Sequence, residues 1–146
     1  MTSPLPDDSV PPDAESGGKT ILVVDDHRSF AEMLSAALDT VDGLTCVATA
    51  GIAAEGIALA AQLRPSIVIM DIQMPGQDGL MATRRIREVA PNTLIAVVTA
   101  HRDQQWITRA AQAGASAFIP KTGSLLEMLD VLRRVHPGQL IVAPSA

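Results

Sequence analysis

A parallel five-stranded sheet covered by helices on both faces, an α/β fold, is the architecture this sequence predicts. From Lys19 onward, short apolar runs rich in β-branched residues alternate five times with longer segments of helical period. The short runs are almost continuously hydrophobic, as strands buried on both faces are, and the longer segments each carry one apolar stripe. Strands that alternate with helices pair in parallel, because each return to the sheet needs a crossover long enough to hold a helix.

The first run covers residues 21–24 and leads to a helix over 28–41, where Phe30, Met33, Leu34, Ala37, Leu38 and Val41 recur at three- and four-residue steps. The second unit pairs a strand over 44–49 with a helix over 52–63. The third pairs 67–70 with a helix over 80–89, which Asp78 is placed to cap and Pro91 to stop. A fourth strand over 94–98 precedes a helix over 104–113 ended by Gly114. The fifth unit is a strand over 116–119 and a helix over 125–135, where Ser124 and Glu127 have capping-box spacing. Residues 1–18 are rich in proline and acids and poor in large apolar side chains, so a disordered tail is expected there. The domain proper then spans 19–136. Residues 137–146 begin with Pro137-Gly138, which breaks the helix, and read as a linker at the C-terminal end.

At 146 residues and 47% hydrophobic composition, the chain has material for one domain with a real core. A net charge of −5 argues against electrostatic binding to DNA or to an anionic membrane by this chain alone. The single cysteine, Cys46, has no partner for a disulfide or a thiolate metal site and reads as a small packed residue. Apolar runs are strand-sized and no signal-peptide layout opens the chain, so a cytoplasmic location and no membrane partner are expected. Gly17-Gly18-Lys19-Thr20 shares the end of a phosphate-binding loop motif, but it precedes a strand rather than following one, and the first glycine is missing.

The chemistry lies at strand ends. Asp25 and Asp26 follow the first strand, Asp71 the third, Thr99 the fourth and Lys121 the fifth. In an open parallel sheet the carboxyl ends of the strands form the ligand crevice, so these polar groups share one rim. Taken alone, each has an ordinary explanation: Asp71 an Asx turn before Pro75-Gly76, Asp25 and Asp26 a cap on the first helix, Lys121 a solvated lysine. Together they offer carboxylates for a hard cation, a hydroxyl donor and an ammonium for an anion. Mg2+ suits such a set, since it accepts few protein carboxylates and bridges to phosphate oxygens, and the expected chemistry is phosphoryl transfer.

The segments ILVVDDH, IVIMDIQMPGQDGL, AVVTAH and AFIPK resemble, in order and spacing, the signature blocks of the receiver domain of two-component response regulators. The resemblance implies a flavodoxin-like, doubly wound five-stranded sheet of order 2-1-3-4-5 with five helices. It implies that Asp71 accepts a phosphoryl group from a sensor histidine kinase. Mg2+ would be bound by Asp26 and Asp71, by the backbone carbonyl of Gln73, and by Asp25 mainly through water. Lys121 would pair with Asp71 and then with the phosphoryl group, Thr99 would move to a phosphoryl oxygen, and Phe118 would turn inward as Thr99 moves, altering the surface around helix four and strand five. Beyond its own phosphorylation and slow dephosphorylation the chain would not be an enzyme. Where many receivers place proline after the lysine, Thr122 follows here and Pro120 precedes.

The Phe-Ile-Pro-Lys block and the His-Pro-Gly end most resemble receivers joined to a LuxR/NarL-type helix-turn-helix, which implies transcription control and DNA contact only through an effector that these residues do not contain. A homodimer is a possible partner arrangement in such receivers. The alternatives are a stand-alone receiver serving as phosphorelay or partner-binding protein, and an aspartate-nucleophile phosphatase. The phosphatase is disfavoured because Gln73 stands where a second acid would be needed, and a flavin carrier because Asp25-Asp26-His27 replace a phosphate loop. His27, His101 and His136 are too scattered for a metal site by local spacing, and His27 and His136 read as surface or helix-end residues.

Overall fold

A computed structural model describes residues 18–100 and 103–144 of the chain; the expected tail, Gly18 apart, and His101 lie outside the described residues. The elements run β1 (Lys19–Val24), α1 (Arg28–Asp39), β2 (Leu44–Ala50), α2 (Ala53–Leu63), β3 (Ile67–Asp71), α3 (Gly79–Val89), β4 (Leu94–Thr99), α4 (Gln104–Gln112), β5 (Ala117–Pro120), α5 (Leu125–Arg134) and β6 (Ile141–Val142). All neighbouring strands pair in parallel, in the order β2-β1-β3-β4-β5-β6.

The strand count corrects the expectation of five. Ile141 and Val142 join the sheet because the apolar side chains of Leu140, Ile141 and Ala143 find the core. Ile141 packs against the α1/α5 layer, Leu140 against the opposite one, and Ala143 is buried. Their backbone completes the ladder, with Ile141 N–H donating to the Ser116 carbonyl at 2.9 Å and Ala143 N–H to the Phe118 carbonyl at 3.0 Å. A strand this short after a Pro-Gly break carries no periodic signal, which is why composition reads as a linker.

Burial on both faces explains the apolar strands. Along β1, Ile21 and Val23 enter one core with Leu34 and Leu38 of α1 and Leu132 of α5. Leu22 and Val24 enter the other with Ala60 of α2, Ile86 of α3 and Ala110 of α4. Alternate residues of β3 divide in the same way, Ile67 and Ile69 against Val68 and Met70. The strand period of two thus feeds two cores from one run of hydrophobic residues. Cys46 is partly buried beside the first core.

Local signals set the helix ends. The Asp78 carboxylate accepts from Leu80 N–H and Met81 N–H, each at 3.0 Å, and Ser124 Oγ accepts from Glu127 N–H at 3.1 Å. Gly114 follows α4 with φ of +95°, a conformation glycine adopts at little cost. Lys19 Nζ, at the start of β1, donates to the Leu132 and Arg133 carbonyls at 3.0 and 2.9 Å, so it satisfies the open C-terminal end of α5. Burial holds that ammonium below the ordinary lysine pKa.

One contact bears directly on the crevice. Gly79, the first residue of α3, lies so close to the preceding loop that a Cβ there would stand 2.4 Å from Ile72 Cα and 2.7 Å from the Asp71 carbonyl oxygen. A side chain at position 79 would push on the backbone that carries Asp71.

Candidate metal and phosphoryl site

Strand order reverses between β1 and β3, and the acidic residues straddle that point. Asp25 and Asp26 fill the β1–α1 connection, Asp71 ends β3, Thr99 ends β4, and Lys121 follows β5. The sheet therefore brings together all the expected strand-end groups.

Asp25 and Asp71 are held by matching local turns. Asp25 Oδ1 accepts from His27 N–H at 2.8 Å, and Asp71 Oδ1 accepts from Gln73 N–H at 2.9 Å. Each carboxylate thus has one oxygen pinned by the amide two residues on, an Asx-type turn, and the other directed at shared space. That space holds the Lys121 ammonium, 2.8 Å from Asp25 Oδ2 and 3.3 Å from Asp71 Oδ2. Among the described residues Asp25 Oδ2 accepts no aligned hydrogen bond, so its contact with Lys121 is one of charge. Both aspartate side chains are 2% exposed, while Asp26 is 29% exposed and opens the site to solvent. Burial, followed by the neighbouring Asp25 carboxylate, raises the Asp71 pKa above the ordinary aspartate value. The Gln73 amide and the Lys121 ammonium pull the other way without cancelling that rise.

One ligand atom from each of Asp25, Asp26, His27 and Asp71 lies within 4.8 Å of the others. Such convergence of oxygens, with one buried carboxylate oxygen lacking a hydrogen bond, fits a divalent cation. Asp25 and Asp26 do not cap α1: its N-cap is His27, without a side-chain cap, and Asp25 is occupied by its own turn.

Thr99 and Phe118 are fully buried, and Phe118 sits in the core layer of α2, α3 and α4. Thr99 Oγ1 donates to Gln73 Oε1 at 2.9 Å, and Ala100 N–H donates to the same oxygen at 2.7 Å. The side chain of Gln73, expected to matter through its backbone carbonyl, is thus the bridge between the loop after β3 and the end of β4. Lys121 N–H donates to the Thr99 carbonyl at 2.8 Å, which joins the fourth and fifth strand ends. No cis peptide bond occurs among the described residues.

His27 is the residue that spacing alone misses. Its Nδ1 is 2.9 Å from Lys121 Nζ and 3.3, 3.7 and 3.9 Å from oxygens of Asp25, Asp26 and Asp71. Its one sequence signal is adjacency to Asp25-Asp26. Among the described residues no helix is long and apolar enough to cross a membrane.

Comparison with known proteins agrees with this geometry. The family model of the response regulator receiver domain matches residues 21–133. The response regulator GacA of Pseudomonas aeruginosa is 36% identical over 125 residues, covering 86% of this chain and 58% of GacA. The transcriptional regulatory protein LiaR of Bacillus subtilis is 30% identical over 119 residues, covering 82% of this chain and 56% of LiaR. The chain therefore spans little more than half the length of these relatives. A two-component response regulator of the LuxR family from Aurantimonas sp. superposes with a TM-score of 0.81 at 30% identity, covering 88% of this chain and 91% of that one. With the strand-end carboxylates, the bridging lysine and the matched span all in register, this chain belongs to the response regulator receiver domain family.

Proposed function

We propose that this chain is a phosphoaccepting switch in which Asp71 takes a phosphoryl group from a sensor histidine kinase. The observation that carries the reading is Lys121 Nζ between Asp25 Oδ2 and Asp71 Oδ2 at the point where strand order reverses. Asp71 Oδ2 is the oxygen left free of backbone hydrogen bonding, so it is the nucleophile. It attacks phosphorus, the bond from phosphorus to the donor's imidazole nitrogen breaks, and the electron pair leaves with that nitrogen. Asp25, Asp26 and Asp71, with the Gln73 backbone carbonyl, would hold Mg2+. That ion supplies the positive charge that lets a phosphoryl group approach three carboxylates.

The chain's own groups do the rest. Lys121 neutralises Asp71 before transfer and an oxygen of the phosphoryl group after it. Thr99 exchanges its Gln73 partner for a phosphoryl oxygen, and Phe118 responds through the paired ends of β4 and β5. The aspartyl phosphate carries about 1.5 to 2 negative charges where the ionised carboxylate carried one, and it places new acceptor oxygens at a buried rim, which drives that local rearrangement. The altered surface is that of α4 and β5.

Apart from this self-phosphorylation and the slow loss of the group, no substrate is turned over. Similarity to LiaR and to a LuxR-family regulator supports a role in transcription control, with DNA bound by a helix-turn-helix effector rather than by this acidic domain, in the cytoplasm and with a homodimer as one mode of output. The test is incubation with acetyl phosphate. Mg2+-dependent incorporation of one phosphoryl group is expected in the wild type and none in Asp71→Asn. Equal labelling of Asp71→Asn overturns the assignment.

A further inference from the structure

We propose that the His27 imidazole is a fourth ligand of the acidic site and biases it towards first-row transition-metal dications, relative to Mg2+. The inference rests on the carboxylate site proposed above and adds what determines its ion preference. His27 Nδ1 points into the cluster at 3.3, 3.7 and 3.9 Å from the three aspartates. Its nearest neighbour is the Lys121 ammonium at 2.9 Å. An ammonium has only protons to give, so Nδ1 is the acceptor and presents its lone pair to the shared space. Lys121 is thus a tethered cation bound by the Asp25 and Asp71 carboxylates and the imidazole nitrogen together. The Asp25 and Asp71 carboxylates share one ammonium, with the Asp26 carboxylate beside them in the cluster, and the 2%-exposed Asp25 side chain keeps one oxygen without a hydrogen bond among the described residues.

The donor types decide which ion gains. Mg2+ prefers oxygen ligands and keeps its waters, so it draws little from a nitrogen, whereas imidazole favours later first-row dications. Among the described residues nothing outside this cluster claims the side chain. His27 is the N-cap of α1 but makes no side-chain cap hydrogen bond, and its side chain is 64% exposed, so replacing it removes neither a cap nor core packing.

Two measurements on the full chain test the proposal, with Mn2+, Co2+ and Mg2+ as probes. Echo-modulation EPR of bound Mn2+ is expected to show coupling to a directly bound imidazole nitrogen in the wild type and in the control His136→Ala, and none in His27→Ala. Competition titrations are expected to show His27→Ala, and likewise His27→Asn, weakening Co2+ by about tenfold and Mg2+ by less than about twofold. Asp26→Asn should weaken both ions. Absence of nitrogen coupling in the wild type, or an unchanged ratio of Co2+ to Mg2+ affinity in the His27 variants, overturns the inference and leaves the carboxylate site standing. If the wild type binds none of the three ions, the proposed function falls and this inference with it.

Discussion

Replacing Lys121 by methionine removes the one ammonium between two nearly enclosed carboxylates. Asp25 Oδ2 lies 2.8 Å and Asp71 Oδ2 3.3 Å from Nζ, both aspartate side chains are 2% exposed, and Lys121 itself is 16% exposed. Breaking a buried ion pair from one side costs about 3 to 5 kcal/mol, because the remaining charge is left uncompensated. Lys121→Met should therefore lower stability by about that much at neutral pH in metal-free buffer. Asp71 moderates the loss in acid. Its folded-state pKa is raised above the unfolded value, mainly by burial, so the stability linked to its protonation is present below the unfolded pKa and lost as pH rises through the folded one. Lowering the pH through that window protonates Asp71, relieves its repulsion with Asp25, and shrinks the deficit of the variant. A divalent ion at about a hundred times its Kd should restore roughly 2.7 kcal/mol. Urea unfolding followed by circular dichroism, at neutral and acidic pH and with and without MgCl2, reads all three effects. Midpoints that match the wild type in metal-free neutral buffer would refute the reasoning, as would a deficit that grows in acid.

Other consequences are more local. Gly79→Ala places a Cβ 2.4 Å from Ile72 Cα, so overpacking of about 1 to 3 kcal/mol is expected, with weaker divalent-ion binding because the Asp71 backbone shifts; urea unfolding and ion titration check both. Asp78→Ala removes the acceptor for two N–H groups of α3 and should cost about 1 kcal/mol in thermal or urea unfolding while leaving phosphorylation intact.

The parts of the fold legible in the sequence are those in which one physical demand acts on many residues. Strands β1 and β3 are buried on both faces, so their apolar runs are nearly continuous, and the helices that cover them carry a single stripe. Boundaries moved by a residue or two where polar residues extend a strand, as Asp71 ends β3 and Thr99 ends β4. β6 was not legible, because two residues joined to β5 by backbone pairing leave no pattern. The strand-end rule brought Asp25, Asp26, Asp71, Thr99 and Lys121 to one rim. It gave no access to contacts made by side-chain reach. Gln73 bridges to Thr99 over an interval of 26 residues, and His27 meets Lys121 over 94. Such contacts depend on which strands become neighbours, information that lies in the topology rather than in local spacing.

The central claim is that Asp71 is the residue that accepts the phosphoryl group, and locating the covalent modification tests it most directly. After reaction with acetyl phosphate and Mg2+, mass mapping of proteolytic peptides should place a single phosphoryl group on the Asp71 peptide, absent when Mg2+ is chelated and in Asp71→Asn. A phosphoryl group found on Asp25, Asp26 or His27 instead, with the Asp71 peptide unmodified, would contradict the account.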